Sequence, residues 1–162
     1  GRKKSNTMTI EISPAEILHR VRDIAQDELA VTTPDEKLRY KIEPGSEKED
    51  KVKMFISEAV ENFCALVMRF LDTEHQQQYY AIVANTAITL PEMYVFEFDV
   101  SERSAAGKAA IIANKCATFL AEDTLMRYYL TLGQVQLAQN HAQLASAEQK
   151  AISTLLYTKA LP

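Results

Sequence analysis

Residues 46–71 read SEKEDKVKMFISEAVENFCALVMRFL, and this segment sets the structural class of the protein. Its apolar residues recur at steps of three and four over about four turns, which is the period of one face of an α-helix. The opening Ser-Glu-Lys-Glu fits a capping box, in which a hydroxyl and a carboxylate bond the free amides of the first turn. We therefore predict one long core helix here. Its inward residues are Phe55, Ile56, Ala59, Val60, Phe63, Leu66, Val67, Phe70 and Leu71.

Two similar helix starts lie upstream. The tetrapeptides SPAE at residues 13–16 and TPDE at residues 33–36 each place a hydroxyl three residues before a Glu, with Pro at the first helical position. The first predicts a helix to about Ala30. The second predicts only a short turn, because Pro44-Gly45 follows so soon. The apolar face of the first helix comprises Ile17, Leu18, Val21, Ile24 and Ala25.

Downstream of the core helix the apolar period changes from helical to alternating. Tyr94, Phe96, Phe98 and Val100 alternate with polar or smaller residues, which indicates an extended segment or a strand paired with residues 87–90. Helical periodicity returns over residues 104–132, and Gly133 either ends that helix or lets it kink into the last one. The inward residues of this helix are Ile112, Cys116, Phe119, Leu120, Met126, Tyr129 and Leu130.

These elements predict a mainly α fold: a bundle of about four principal helices, with a short β-hairpin or extended arm between the second and the third. A chain of 162 residues is long enough for one domain that buries roughly 70% of its unfolded surface. We expect residues 1–8, which contain Arg2-Lys3-Lys4, to form a flexible basic leader, and residues 9–162 to form a single helical domain.

Charge and cysteine content narrow the class of partner. A net charge of -4 and a pI near 5.4 argue against a broad nucleic-acid surface, so we expect no sequence-specific nucleic-acid partner. Cys64 and Cys116 lie among apolar residues, where a reduced thiol behaves as a small hydrophobe. No run approaches the ~18 consecutive apolar residues of a membrane span. We therefore expect synthesis in the cytoplasm and no membrane partner.

The closing helix, residues 134–156, has a nearly uncharged polar face. From residue 134 to the end there are one acid, Glu148, two bases, Lys150 and Lys159, and five glutamines. Small residues on a seam permit close approach of another helix. Either this face packs on its own bundle, or it contacts another subunit. The seam is Val135, Ala138, Ala142, Ala145, Gln149, Ile152 and Leu156, and the predicted interface is Ala138, Ala142, Ala145 and Gln149 together with Tyr94 and Phe96.

Residue patterns that carry chemistry are weak in this chain. Glu16 and His19 have the spacing of a di-iron ligand pair, but residues 72–75 are a poor second copy. Gly107-Lys108 lacks the other residues of a phosphate loop. His141 has no acid or Cys at a fitting interval, so we expect a packing or polar-face residue. We predict no enzyme activity, no cofactor and no metal.

Two aromatic groups leave alternatives open. The run QQQYY at residues 76–80 and the pair Tyr128-Tyr129 would each suit a protein interface, since flat amphipathic rings are enriched there. They fit equally well as a loop and as the edge of the core.

The order of three segments resembles a known group of structural proteins. These are SEKEDKVKMFISEAVENFCALVMRFL at residues 46–71, TLPEMYVFEFDVSERS at residues 89–104 and AGKAAIIANKCATFLAEDTLMRYYL at residues 106–130. Together they resemble the helical head-tail connector, or neck, proteins of tailed phages and prophages. The resemblance implies a homo-oligomer that forms a ring, docks to portal or tail proteins and is found in the virion. It carries over no catalytic residue.

Two functions follow as hypotheses. The first is a non-enzymatic phage or prophage virion structural protein, a head-tail connector or neck component that acts by self-association and docking. The second is a cytoplasmic helical adaptor or regulatory module that binds a partner protein in a groove.

Overall fold

The computed structural model describes residues 7–71, 82–84, 87–99 and 107–157. The predicted fold class is confirmed, because the protein is mainly α, with four long helices, one short helix and two small antiparallel sheets in this part of the chain. The elements in chain order are β1 (Thr7–Ile12), α1 (Pro14–Thr32), α2 (Glu36–Ile42), α3 (Glu49–Leu66), β2 (Ile82–Ala84), β3 (Ala87–Thr89), β4 (Tyr94–Asp99), α4 (Ala109–Thr131) and α5 (Val135–Tyr157).

Helix α4 is the centre of the structure. It packs against α1, α3, α5 and β1, and every residue of α4 from Ala121 to Leu125 is buried. This central stretch of α4 has no solvent face, so both its apolar and its polar residues are buried. Polar residues in such an environment need hydrogen-bond or ion-pair partners, and α4 contains several such residues.

The strand with alternating aromatic residues is present, but its predicted partner is wrong. Tyr94, Phe96 and Phe98 of β4 point inward. Strand β4 pairs with β1, whereas β3 pairs with β2 in a separate hairpin. The sequence TMTIEI of β1 also alternates and buries every second residue. This alternation could have predicted a strand directly before the helix cap at residue 13.

The first strand that the structure describes includes two residues assigned to the leader by the sequence pattern. Thr7 and Met8, which we had placed in the flexible leader, belong to β1 and lie opposite Asp99 and Phe98. Met8 is buried because its side chain is on the core face of this strand. Residues 1–6 lie outside the described part of the chain.

An aromatic cluster centred on Phe63 fills the space between α3, β4 and α4. The ring of Phe63 lies 5.1 Å from Phe96, 6.4 Å from Phe98 and 5.5 Å from Phe119, measured between centroids. Edge-to-face pairs at such distances add to the effect of burial. The central part of the predicted core is confirmed, because Phe55, Val60, Phe63, Val67, Phe70, Phe119 and Leu120 are all buried.

Two predicted core residues are exposed instead. Leu66 is 43% exposed and Leu130 is 52% exposed. Both lie near the end of a helix, because α3 ends at Leu66 and α4 ends at Thr131. There the helical period no longer determines which side faces the core.

The helix ends agree with the capping predictions only in part. Ser13 caps α1 as predicted, since its hydroxyl accepts from the amide of Glu16. Asp35, rather than Thr33, caps α2 by accepting from two backbone amides, and Thr33 instead ends α1. Ser46 makes no cap bond and begins a 3-10 turn that precedes α3. Gly133 has a φ of 73° and ends α4 rather than kinking it.

Candidate functional site

Helix α5 lies along α4, and its buried face matches the predicted seam at Ala138, Ala145, Ile152 and Leu156 but holds His141 in place of Ala142. Ala138 and Ala145 are buried as the seam requires, but the inward residue between them is His141, and Ala142 is exposed. Val135, also assigned to the seam, is 54% exposed. Steps of three and four residues connect 138, 141 and 145 just as they connect 138, 142 and 145, so the spacing could not choose between the two faces. The large buried residues Leu137, Ile152 and Leu156 favour the side that holds His141, and the partners of His141 favour the same side.

The predicted interface residues do not form one accessible surface. Tyr94, Phe96, Ala138 and Ala145 are buried within the chain, so the assignment of these four to an open interface is wrong for this conformation. Their contacts with α3 and α4 occupy the surfaces that a partner would need. Two members remain open to solvent. Ala142 is exposed, and Gln149 is half-buried and donates a 2.9 Å hydrogen bond to Ser153.

The strongest polar site in the described residues is a buried cluster of Glu28, Glu122 and His141, which we call the Glu-His-Glu cluster. Glu28 comes from α1, Glu122 from α4 and His141 from α5. The Nε2 atom of His141 lies 2.8 Å and 3.1 Å from the two carboxylate oxygens of Glu28. Its Nδ1 atom contacts Oε2 of Glu122. The cluster therefore joins three helices through one imidazole ring.

Tyr129 completes the surroundings of the ring. It stacks on His141 with centroids 5.6 Å apart and an angle of 25° between the planes. The Tyr129 hydroxyl is buried close to the Glu28 carboxylate, although the pair falls short of strict hydrogen-bond geometry. Burial raises the pKa of Tyr129, and the nearby charge of Glu28 raises it further. Tyr129 is therefore a neutral wall of the cluster, and the pair Tyr128-Tyr129 belongs to the core rather than to an interface.

The arrangement determines the number of protons in the cluster. A neutral imidazole has one N–H donor and one bare nitrogen, and an ionised carboxylate can only accept. Both nitrogens of His141 face carboxylate oxygens, so the neutral ring would direct a lone pair at an anion. Two donors are required, and with both carboxylates ionised the imidazolium supplies both of them. The cluster thus holds one positive charge between two negative charges.

Opposing effects act on the pKa of His141. Burial lowers the pKa, because a charged ring loses its hydration. The hydrogen bonds and charges of Glu122 and Glu28 raise it, and they outweigh burial, so the net pKa of His141 is above its ordinary value. This direction agrees with the imidazolium that the geometry requires.

A second buried acid lies beside the cluster on α4. Asp123 accepts a 2.8 Å bond from Nε of Arg127 and a 3.3 Å bond from Asn62 of α3. Arg127 also lies 3.6 Å from Glu58. Burial raises the pKa of Asp123, although Arg127 and Asn62 act in the opposite direction. This group joins α3 to α4 and is fully accounted for by structural contacts.

Neither the cluster nor the pair Glu16 and His19, which has the spacing of metal ligands, is arranged like a metal centre. The carboxylates of Glu28 and Glu122 lie at opposite nitrogens of one ring, so they do not converge on a common point. Glu16 and His19 face solvent and pair with Arg20 and Asp23 instead. Within residues 7–71, 82–84, 87–99 and 107–157, no group of three or more His, Cys, Asp or Glu could hold a metal ion.

Access to the cluster is limited. The side chain of His141 is 2% exposed, and those of Glu122 and Glu28 are 9% and 23% exposed. A groove of about 500 Å³ between α1, α3 and β3 is lined by other residues. Its lining comprises Pro14, Ala15, Leu18, Glu49, Lys53, Ile56, Thr89 and Leu90. A substrate in that groove would not touch the imidazole.

The histidine was visible in the sequence, but its partners were not. Glu28 is 113 residues from His141, and Glu122 is 19 residues away across a helix hairpin. The available signal was the position of His141 between Ala138 and Ala145 on one face, together with Glu122 directly after the apolar run Phe119-Leu120-Ala121. The QQQYY run at residues 76–80 lies outside the described residues.

Comparison with protein-family models, with curated proteins and with solved structures finds no match for this chain. Among the helices that the structure describes, none is both long and apolar enough to cross a membrane.

Proposed function

We propose that this protein is a non-enzymatic virion structural protein of a tailed phage or prophage, a head-tail connector or neck component. It acts by self-association and by docking to portal or tail proteins, and it is made in the cytoplasm before it enters the virion. The observation that carries the proposal is the outward face of α5. Between Val135 and Ala147, every exposed side chain is uncharged.

The chemistry of this outward face suits burial against another protein. Surfaces that stay solvated carry about 25–35% charged residues of both signs, whereas this one has none over three turns. Amide and hydroxyl groups can hydrogen-bond across an interface without the cost of desolvating an ion. Val135 and Leu144 add half-exposed apolar surface. The exposed residues are Val135, Gln136, Gln139, Asn140, Ala142, Gln143, Leu144, Ser146 and Ala147.

The two core assemblies of the fold support a structural role. The aromatic cluster around Phe63 and the Glu-His-Glu cluster are both buried, and both connect elements of the scaffold. Neither presents a nucleophile or a base to a cavity. The order of segments that resembles the connector proteins is the reason for proposing a head-tail connector in particular.

Self-association is tested with a charge placed on the outward face. Gln143→Glu introduces an anion at an exposed site, and Gln26→Glu introduces the same anion at an exposed site of α1. In sedimentation velocity over a concentration series, Gln143→Glu should weaken association and Gln26→Glu should not. Equal association of both variants and the parent protein would exclude this face.

Docking to a portal is tested separately, because connectors of the family assemble on one. The coding sequence should lie beside portal, capsid or tail genes, and the encoded portal should bind the parent protein more tightly than Gln143→Glu. Absence of such neighbours, together with failure to bind any tail or portal protein, would remove the virion assignment.

The adaptor hypothesis has one specific observation in its favour, which is the groove between α1, α3 and β3. Its floor contains Leu18, Ile56 and Leu90, and its rim contains the ion pair of Glu49 and Lys53 at 3.7 Å. Ala15→Glu places a charge in this groove at an exposed position. Partner binding that is lost in Ala15→Glu and retained in Gln143→Glu would favour the adaptor over the connector.

A further inference from the structure

The Glu-His-Glu cluster sits at the point where α5 is tied to the rest of the fold. Helix α5 packs mainly along α4. The bond between His141 and Glu28 adds a connection to α1, and the bond to Glu122 adds a polar connection to α4. The titratable groups that face the ring from the described neighbours are Glu28 on α1, and Glu122 and Tyr129 on α4.

We propose that this cluster is a proton-held latch, in which an imidazolium at position 141 fastens the first half of α5 to α1 and α4, and loss of its proton loosens that half. The geometry carries this inference, since each ring nitrogen faces a carboxylate oxygen and both must donate. When the proton leaves, one nitrogen and one carboxylate become two acceptors in contact within a buried site. Separation of α5 then lets water satisfy both groups.

The direction of the pH effect follows from the closed and open states. In the open state His141 is solvated and has an ordinary pKa of about 6.5. In the closed state the pKa of His141 is raised. The latch is therefore fully stabilised below about pH 6.5 and loses its stabilisation as the pH rises through the raised pKa. Within that window the closed-to-open ratio falls by up to about tenfold per pH unit, because one proton is released on opening.

The latch also affects the outward face of α5. Residues 135–147 carry the uncharged exposed surface, and His141 is on the opposite side of the same helical segment. A closed latch holds that surface in one orientation, and an open latch releases it. The proton equilibrium does not depend on what α5 binds, so it can be tested on the isolated protein.

The central test uses Glu28→Gln, with His19→Gln as the control. An amide at position 28 can donate to the bare nitrogen of a neutral ring, so the cluster no longer needs the extra proton. His19 is exposed on the same helix as Glu28 and pairs with Asp23, so its replacement leaves the cluster intact. Hydrogen exchange of α5 amides is measured from pH 6 to pH 9 and corrected for the intrinsic pH dependence of exchange.

We expect protection of residues 137–145 to fall with rising pH in the parent protein and in His19→Gln, by up to about tenfold per pH unit. In Glu28→Gln the corrected protection should change by less than about twofold over the same range. Corrected protection that stays constant in the parent protein, or that falls equally in Glu28→Gln, would overturn the latch.

A direct measurement on the unsubstituted protein keeps the test independent of how any variant folds. Long-range proton-nitrogen correlation spectra distinguish an imidazolium from either neutral tautomer. The ring of His141 should be doubly protonated at pH 7 and should lose a proton only as α5 loses protection. A neutral ring at pH 6 with α5 still protected would refute the proposal.

Discussion

Around Phe63, α3 meets β4 and α4 through contacts between aromatic rings, whereas around His141, α5 meets α1 and α4 through one ring bonded to two carboxylates. Both regions are buried. The first is stabilised by removing apolar surface from water, an effect that has no direction and does not vary with pH. The second is stabilised only when both ring nitrogens carry protons and both carboxylates are in place.

The two regions therefore orient their helices, α3 and α5, in different ways. Helix α3 has one continuous apolar face, and burial of that face determines which side of the helix points to the core. Helix α5 has small residues on several sides, but its large buried residues Leu137, Ile152 and Leu156 lie on the side that also holds His141. The contacts of His141 with Glu28 and Glu122 favour the same rotation.

The largest expected effect is in the apolar region. Phe63→Ala should lower the free energy of unfolding by about 3–5 kcal/mol, since it empties the centre of the ring cluster. Urea unfolding monitored by circular dichroism measures this loss. A loss below about 1 kcal/mol would mean that the rings repack without Phe63 and that this region is no less adaptable than the polar one.

The rotation of α5 is tested by placing the same charge on its two sides. Ala145→Glu should destabilise the protein by about 3 kcal/mol or more, because Ala145 is buried against α4 and an anion there is desolvated. Ala142→Glu is at an exposed site and should change stability by less than about 0.5 kcal/mol. Thermal unfolding of the pair gives the answer, and the reverse order would place Ala142 inside.

Removing the His141 ring from the Glu-His-Glu cluster should lower the free energy of unfolding by less than the two core substitutions do, and the loss should depend on pH. His141→Ala leaves Glu28 and Glu122 without their shared donor, at a cost of about 1–3 kcal/mol at pH 6. The raised pKa of His141 means that the parent protein itself loses this stabilisation as the pH increases above about 6.5. The cost should therefore shrink toward pH 9 in urea titrations. A cost that is constant over this range would show that the ring acts through packing alone.

The smallest expected effect is that of a chelator. EDTA should leave the thermal midpoint unchanged, because Glu16 and His19 are engaged with Arg20 and Asp23 and the carboxylates around His141 are on opposite sides of the ring. A thermal midpoint that falls with EDTA and recovers with added zinc would show that a metal ion binds one of these groups. The polar region would then not be stabilised by its proton alone.

The two regions also differ in how well sequence reasoning can find them. The helical core around Phe63 and the inward rings of β4 follow from local periods of 3.6 and 2, which any short window reveals. The pairing of β4 with β1 and the partners of His141 depend on residues far apart along the chain. No local pattern encodes such contacts. The same limit explains why Ala142 was assigned to the seam in place of His141, because the spacing of the small residues in α5 fits either one.

Strand β1 imposes an order on folding. Its partner β4 is more than 80 residues further along the chain, so the strand leaves the ribosome long before it can pair. Until then Met8, Ile10 and Ile12 remain without the core that covers them. Contacts of such long sequence separation are slow to form, and apolar strands that wait for a partner promote aggregation. Strand β1 is thus made well before its partner β4, and the sheet they form can close only late in folding.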